Sequence, residues 1–400
     1  MKVAGIIAEF NPFHNGHRAL CTAARQAGAT HIAAVMGGNF VQRGDIAITD
    51  KRVRAACALE CGVDLVLELP LPWGISAAQT FARGGVSLLA AAGCVDTLAF
   101  GSESGETKPL QNLAQALADP RVEGELKVLL STGITYARGM QLAVERVFGS
   151  PFAAFLSSPN NLLAIEYLRA VRETNWQPEL FTLKRQGASH DGFIPVGEYA
   201  SASYLRGIAN RGTTSLAGYI PPQTIEILAE AEQDGLFPTD ISRIEMAILA
   251  ILRRLDISEL RHLPDISEGL ENRLYTAIKS STSLAELFAG VKTKRYTLAR
   301  VRRLVFSAFL GIKRKHTEHP PPYIRILGLN QRGEDILAKM KDKASLPMDT
   351  SIQRIIKGGC PCASALARAE VRATDLYTLA LPKPLAGGYE KTARVVVKKI

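Results

Sequence analysis

Apolar residues in this chain fall first into short unbroken runs, each closed by a turn residue, and only later into stripes of helical period. The runs at residues 3–8, 31–36, 64–69, 95–100 and 179–183 lack polar alternation, the signature of strands covered on both faces, as in a parallel sheet. Between them lie helix-favouring stretches at 18–24, 50–61 (opened by Asp50), 76–92, 110–117, 122–130 and 162–171. The alanines and the Gly84-Gly85 pair in 76–92 suit close helix–sheet contact. The alternation of strand and helix predicts an α/β fold with a Rossmann-like parallel-sheet core. From Tyr219 the pattern changes: Pro221-Pro222 reads as a linker, and amphipathic stripes follow at 239–256 and 269–280. Beyond Pro320-Pro321-Pro322 a small α/β pattern occupies 323–327, 330–340, 351–356, 363–379 and 394–399. The expected organisation is a core at 1–218, a helical region at 219–320 and a small C-terminal α/β module at 321–400.

Composition narrows the partners. A chain of 400 residues exceeds what one hydrophobic core usually organises. A net charge of +10 favours a polyanion or an acidic membrane surface. The surplus is concentrated at Lys292, Lys294, Arg295, Arg300, Arg302, Arg303, Lys313, Arg314 and Lys315, with no acidic residue between them. Leu298, Val301, Leu304, Val305, Ala308 and Phe309 form one helical stripe there, with the arginines largely off it. This pattern favours phosphate contact over a merely solvated face. The longest apolar stretch, 86–95, is too short to cross a bilayer, and the N-terminal run is too short for a leader. A cytoplasmic protein with no membrane partner is expected. Cys21, Cys57, Cys61, Cys94, Cys360 and Cys362 make neither a secreted disulfide framework nor a zinc set.

The chemistry gathers where strands end. After the first run come Asn11-Pro12, then His14-Asn15-Gly16-His17, then a helix. A helix N-terminus offers unpaired N–H groups and a positive dipole, glycine lets an anion approach, and imidazoles add donors. Two histidines three apart also fit a satisfied core pair or half a metal site, but no HExxH and no third ligand at zinc spacing is present. No Walker A string and no GxGxxG occurs. The loop 39–49 brings Asn39, Gln42, Arg43 and Asp45 to the carboxyl side of the second strand, where α/β sheets bind ligands; a solvated loop is the alternative. Gly101 ends the fourth strand, Asn160 follows the cap Ser158, and Arg185 carries a guanidinium suited to phosphate beyond the fifth strand. Ser201 and Ser203 open a helix with Arg206 one turn in.

These strings together resemble one known group. HxGH after a first strand is similar to the HIGH-type nucleotidyltransferase superfamily, which includes class I aminoacyl-tRNA synthetases. Residues 200–206, ASASYLR, resemble its ISSTxIR motif, with Ala200 for isoleucine and Ala202 for the second serine. GIIAEFNPFHNGH, GNFVQRGDIAITDK, FGSESG, SPNNLLAIEY and KRYTLARVRR resemble the bacterial tRNA(Met) cytidine acetate ligase family. The resemblance implies an ATP-dependent ligase that forms acetyl-adenylate and acetylates the wobble cytidine of elongator tRNA(Met) to N4-acetylcytidine. It implies ATP as co-substrate, with Mg²⁺ and no protein metal ligand. ATP contacts would come from Ile7, Ala8, Glu9, Phe10, Asn11, Pro12, Phe13, His14, Asn15, Gly16, His17, Arg18, Ala19, Leu20, Gly101, Asn160, Arg185, Ser203 and Arg206. His14, His17 and Arg185 would be catalytic, Asn39 and Arg43 would sit near acetate, and Lys294, Arg295, Arg300, Arg302 and Arg303 would hold tRNA. For the C-terminal segment, tRNA positioning and homodimer contact are equally open. The rivals are a small-molecule adenylyltransferase of the pantetheine-phosphate or nicotinamide type and a non-catalytic RNA-binding protein.

Overall fold

The structure is a computed structural model and describes residues 1–185, 195–267, 269–358 and 360–398. β1 (Val3–Ala8) leads to α1 (Asn15–Gln26) and β2 (His31–Gly37). The loop that follows folds into a hairpin of β3 (Phe40–Val41) and β4 (Asp45–Ile46) before α2 (Lys51–Glu60). Then come β5 (Leu65–Leu69), the single turn α3 (Leu71–Gly74), α4 (Ala78–Ala91), β6 (Thr97–Ser102) and, after a helical excursion, β7 (Glu179–Lys184). Among the described residues one sheet runs from Val396–Val397 through Ile324–Leu329 to β5, β2, β1, β6 and β7, with β5 to β7 parallel throughout.

Period-2 side-chain direction explains the unbroken apolar runs. Val3, Ile7, Ala33, Val35, Leu65 and Leu67 join the core under α4, whereas Ala4, Ile6, Ile32, Ala34, Met36 and Val66 join the core under α1 and α2. Both faces are therefore dry, so apolar residues fill most positions, and the buried Glu68 of β5 needs buried cations beside it. The expected close approach of α4 is present: a Cβ on Gly85 would lie 2.7 Å from Ile7, and one on Gly84 2.6 Å from Trp73. The excursion holds more helix than the sequence pattern predicted. Tyr136–Phe148 is helical, and where the sequence pattern predicts a loop at 151–158 the chain forms a helical turn, Ser150–Ala153, followed by a 3-10 turn, Ala154–Ser157. The helix expected from 162 starts at Pro159, because Ser158 takes the cap position and Pro159 needs no N–H there.

Helices Glu245–Arg253, Leu270–Ser280, Leu284–Val291 and Leu298–Leu310 form their own core, which also takes in Phe40, Ile46 and Tyr377. The remaining strands are β8 (Ile324–Leu329), β9 (Met348–Asp349) and β10 (Val396–Val397); residue 399, at the end of the strand expected at 394–399, lies outside the described residues. β8 is fully buried and pairs antiparallel with β5, so residues 321–400 extend the N-terminal sheet.

Six buried charges tie this segment down. Lys51 meets Glu68, Glu370 (2.8 Å) and Glu390 (3.1 Å); Arg325 meets Glu68 (2.8 Å) and Glu390; Arg52 meets Glu390. Three cations face three carboxylates. Burial and the neighbouring Glu68 push the Glu370 carboxyl up to about 7 despite Lys51. Burial works the same way on Glu390, but Lys51, Arg325 and Arg52 hold it below the usual carboxylate range. No helix among the described residues is long and apolar enough to cross a membrane.

Candidate active site

Strand order reverses at β1: the chain builds β2 and β5 on one side and β6 and β7 on the other, so a crevice opens beyond the carboxyl ends of β1 and β6. A cavity of about 300 Å³ fills it. Its floor is the 6–11 segment of β1 and its turn, with Phe100 and Gly101 from β6 and Leu183, Lys184 and Arg185 from β7. Phe81, Leu163 and Tyr167 add apolar surface suited to a ring, and His14, His17, Arg185 and Arg206 add polar groups.

The turn after β1 places the histidines. Phe10 sits at φ 45°, a left-handed conformation that costs a bulky residue about 1–2 kcal/mol. The bend packs Phe10 against Phe13 (centroids 4.9 Å apart) and edge-on to His17 (5.0 Å). His14 is the cap residue of α1, and its ring stacks on that of His17 at 3.7 Å. A Cβ on Gly16 would lie 3.0 Å from the His14 ring, so glycine is what lets this imidazole fold back over the helix start. His17 Nδ1 accepts the His14 backbone N–H at 3.2 Å, which leaves the proton on Nε2 as the donor for a ligand. Burial first, then His14 and Arg185, hold the His17 imidazole well below its usual value. It enters neutral. Both rings line the cavity.

At the end of β7, Arg185 Nη1 donates to Asn160 Oδ1 at 3.3 Å, and Asn160 Nδ2 donates to Glu103 Oε1. Glu103 Oε2 also accepts the Asn161 N–H (2.8 Å), while Asn161 Oδ1 accepts the N–H groups of Glu103 (2.9 Å) and Ser104 (3.2 Å). The loop after β6 and the first turn of helix Pro159–Arg172 are thus locked face to face. Asn160 does more than cap. Arg206 donates to the Asn11 carbonyl (3.1 Å) and to Ser203 Oγ (3.2 Å), which sets its guanidinium beside the β1 turn. Ser201 Oγ caps that helix on Tyr204 N–H at 3.1 Å.

Ile7, Ala8, Glu9, Phe10, Asn11, His14, Gly16, His17, Ala19, Leu20, Gly101, Asn160, Arg185, Ser203, Arg206 and Arg43 all border the cavity. Pro12, Phe13, Asn15 and Arg18 do not. Asn15 Nδ2 instead donates to the carbonyls of Glu198 (3.1 Å) and Gly218 (3.0 Å), fastening α1 to the chain on either side of residues 200–206. Asn39 is buried away from the cavity: its Oδ1 accepts the Lys51 N–H (2.8 Å) and its Nδ2 donates to Asp50 (3.3 Å). The expected acetate pair is therefore split, with Arg43 at the cavity and Asn39 at the start of α2. Among the described residues, buried Asn11 Nδ2 has no partner while its Oδ1 accepts the Ile48 N–H at 2.8 Å, leaving the amide's N–H groups for a ligand oxygen.

The basic helix Leu298–Leu310 is partly self-engaged. Arg300 donates to the Asp265 carbonyl (2.7 Å) and Ser267 (2.9 Å), Arg303 to the Asp265 carboxylate (3.1 Å), and Arg302 lies 3.8 Å from Asp45. Lys294 is exposed and Arg295 half-buried. Sequence reasoning missed Arg54, buried in α2, whose guanidinium bonds the carbonyls of Glu9, Gly37, Gly38 and Thr49 and so pins the ends of β1 and β2. It also missed Glu103. Neither carried a local signal, since an arginine in an apolar helix reads as a surface residue. Cys21, Cys57, Cys61 and Cys94 are buried thiols, with Cys21 pushed up to about 12 by burial.

Fold and cavity together define an α/β protein of the HIGH nucleotidyltransferase class, with the motif's two imidazoles and two guanidiniums converging on one crevice. A family model described as HIGH Nucleotidyl Transferase matches residues 1–391. The tRNA(Met) cytidine acetate ligase of Thermoanaerobacter sp. strain X514 is 36% identical over 397 residues, 98% of each chain, and that of Caldanaerobacter subterraneus subsp. tengcongensis is 37% identical over 387 residues, 95% of this chain and 96% of the relative. The chain belongs to the tRNA(Met) cytidine acetate ligase family. Two crystal structures of Thermotoga maritima TmcAL, 29% identical and covered completely in both directions, superpose with TM-scores of 0.95 for the apo form and 0.93 for the form bound with alpha-thio ATP.

Proposed function

We propose that this protein activates acetate with ATP and transfers the acetyl group to the wobble cytidine of elongator tRNA(Met) in the cytoplasm. Acetate oxygen attacks the α-phosphorus, pyrophosphate leaves, and the exocyclic amine of cytidine then attacks the acetyl-adenylate carbonyl, releasing AMP. The observation that carries the reading is the stacked His14–His17 pair at the α1 start, in one cavity with Arg185, Arg206 and the apolar side chains of Phe81 and Leu163. Attack at the α-phosphorus spreads charge over phosphate oxygens, so the protein's work is positioning and charge neutralisation. His17 Nε2–H, the Gly16 region of the helix N-terminus and the two guanidiniums supply donors to the triphosphate. Among the described residues no cluster of three or more His, Cys, Asp or Glu could hold a metal, and Glu9 is the one carboxylate bordering the cavity. The side chains among the described residues do not build a Mg²⁺ cage.

Full-length similarity, the helical region included, favours this reading over a small-molecule adenylyltransferase. It is tested by incubating the protein with ATP, labelled acetate and total bacterial tRNA and analysing the nucleosides. N4-acetylcytidine in elongator tRNA(Met) supports the reading; pyrophosphate release without labelled RNA removes it. Arg43 is the proposed acetate contact. Losing one charge-assisted hydrogen bond is worth about 1.5–3 kcal/mol, so Arg43→Ala should raise the acetate KM about tenfold or more and the ATP KM far less. Asn39→Ala should instead lower the melting temperature. An unmoved acetate KM in Arg43→Ala would remove the assignment.

A further inference from the structure

A second concavity, of about 390 Å³, lies in the helical region, walled by Arg261, His262, Lys313, Arg314, Lys315 and Glu318. Two separate stretches make it. Arg261 and His262 follow the short helix Ile257–Leu260; Lys313, Arg314 and Lys315 follow Gly311, the left-handed residue (φ 68°) that ends the basic helix. The stretches are clamped together: Arg314 N–H donates to the His262 carbonyl at 2.8 Å, and Arg314 Nη2 to the Ile266 carbonyl at 2.9 Å. The cations are thus mounted on a fixed frame.

Four full positive charges face a single carboxylate, Glu318. Arg261 has Glu271 at 3.7 Å, and among the described residues no carboxylate lies within ion-pair distance of Lys313, Arg314 or Lys315. On the adjoining helix, Arg300, Arg302 and Arg303 are turned onto Asp265, Ser267 and Asp45. The long basic run therefore divides into a part that braces the protein and a part that is left electrostatically unbalanced. His316 reports the same field: its Nδ1 accepts the Lys313 N–H (3.2 Å), and burial, then Lys315, Lys313 and Arg372, hold it below its usual value.

Position connects this pocket to the cavity. The 3-10 turn Arg314–Thr317 packs on α3, which leaves the carboxyl end of β5, and α3 packs on β3 of the hairpin whose tip carries Gln42 and Arg43 into the cavity. Gly44 of that hairpin lies against the basic helix backbone at Arg302 and Arg303. Contacts through α3 and the hairpin thus link the pocket to the cavity.

We propose that this pocket seats backbone phosphates of the RNA substrate, away from the base that is acetylated. The proposal rests on the reading above. A polymeric anion is favoured over a free nucleotide because four of the six walling side chains are cations, three of them exposed, and His262 is the one ring beside them, with no apolar face for a base. Each phosphate neutralised should steepen the salt dependence of binding by about 0.7–0.9 in log K against log salt. The test is the full-length double variant Lys313→Glu/Lys315→Glu, measured by tRNA anisotropy over a KCl series. Expected are a Kd weakened about tenfold or more at low salt, a slope shallower by about one to two, and a raised tRNA KM with the maximal acetylation rate retained. Lys341→Glu, exposed on helix Gln331–Lys343, should leave the tRNA Kd near wild type. A folded double variant with wild-type Kd and slope would overturn the pocket, as would equal weakening by Lys341→Glu. Wild-type protein that binds tRNA through Lys313 and Lys315 yet never acetylates it would overturn the ligase reading alone.

Discussion

Acetate-dependent ATP–pyrophosphate exchange should fall by about a hundredfold in His17→Ala, and by a similar factor in His14→Ala, since each removes one donor aimed at developing phosphate charge. That factor corresponds to about 2.7 kcal/mol of lost transition-state stabilisation. The pH profile separates chemistry from folding. His17 is held neutral in the free protein, so its folded pKa lies below the unfolded value of 6.5. The stability it contributes is complete above that value and is lost as pH falls toward the folded pKa. In His17→Ala this part of the acid-side decline in melting temperature should vanish, while the loss of exchange persists at pH 8, where the wild-type imidazole is neutral in both states. Full retention of exchange at pH 8 in both variants would remove the two histidines from the phosphate site.

Lys51→Met should be the most destabilising single change outside the cavity. It leaves Glu68, Glu370 and Glu390 sharing Arg325 and Arg52 in a dry interior, and breaking a buried ion cluster by removing one partner costs about 3–5 kcal/mol. In a chain of this size the melting temperature should drop on the order of 5–10 °C. Glu370→Gln should cost far less at neutral pH. Its carboxyl is pushed up to about 7, so the wild-type group is already partly protonated, and glutamine still offers an oxygen to the Leu71 N–H. The sign follows from linkage: a carboxyl raised above its unfolded value stabilises the fold below about 4.5 and loses that contribution as pH rises through 7. Glu370→Gln should therefore gain on wild type between pH 5 and 8 in thermal denaturation. Equal losses in Lys51→Met and Glu370→Gln would contradict the charge assignment.

The two substitutions also mark where local reading stops. His14 and His17 are legible because strand, turn and helix start are consecutive in the chain, so Phe10 to His17 carry their own geometry. Gly101, Asn160, Arg185, Ser203 and Arg206 could be named from strand ends and helix caps, and the structure brings them to the same cavity. Asn39 could not be separated from Arg43, because whether a loop side chain turns inward is set by the hairpin Phe40–Ile46 and by the helix start it caps. Likewise Arg300, Arg302 and Arg303 share one sequence signature with Lys313 and Lys315, and only their distances to Asp265 and Asp45 tell bracing from unbalanced charge.

Sequence alone determined the parallel core, the strand–turn–helix junction that carries His14 and His17, and the concentration of positive charge, since periodicity and adjacency act over a few residues. The tertiary structure alone decided that β8 returns antiparallel to β5, that Lys51 meets Glu370 across 319 residues, and which side chains wall the cavity opposite the histidines. Those outcomes come from pairing buried surfaces and charges far apart in the chain, where a strand such as Leu65–Leu69 shows its one glutamate but nothing of the lysine and arginine that neutralise it.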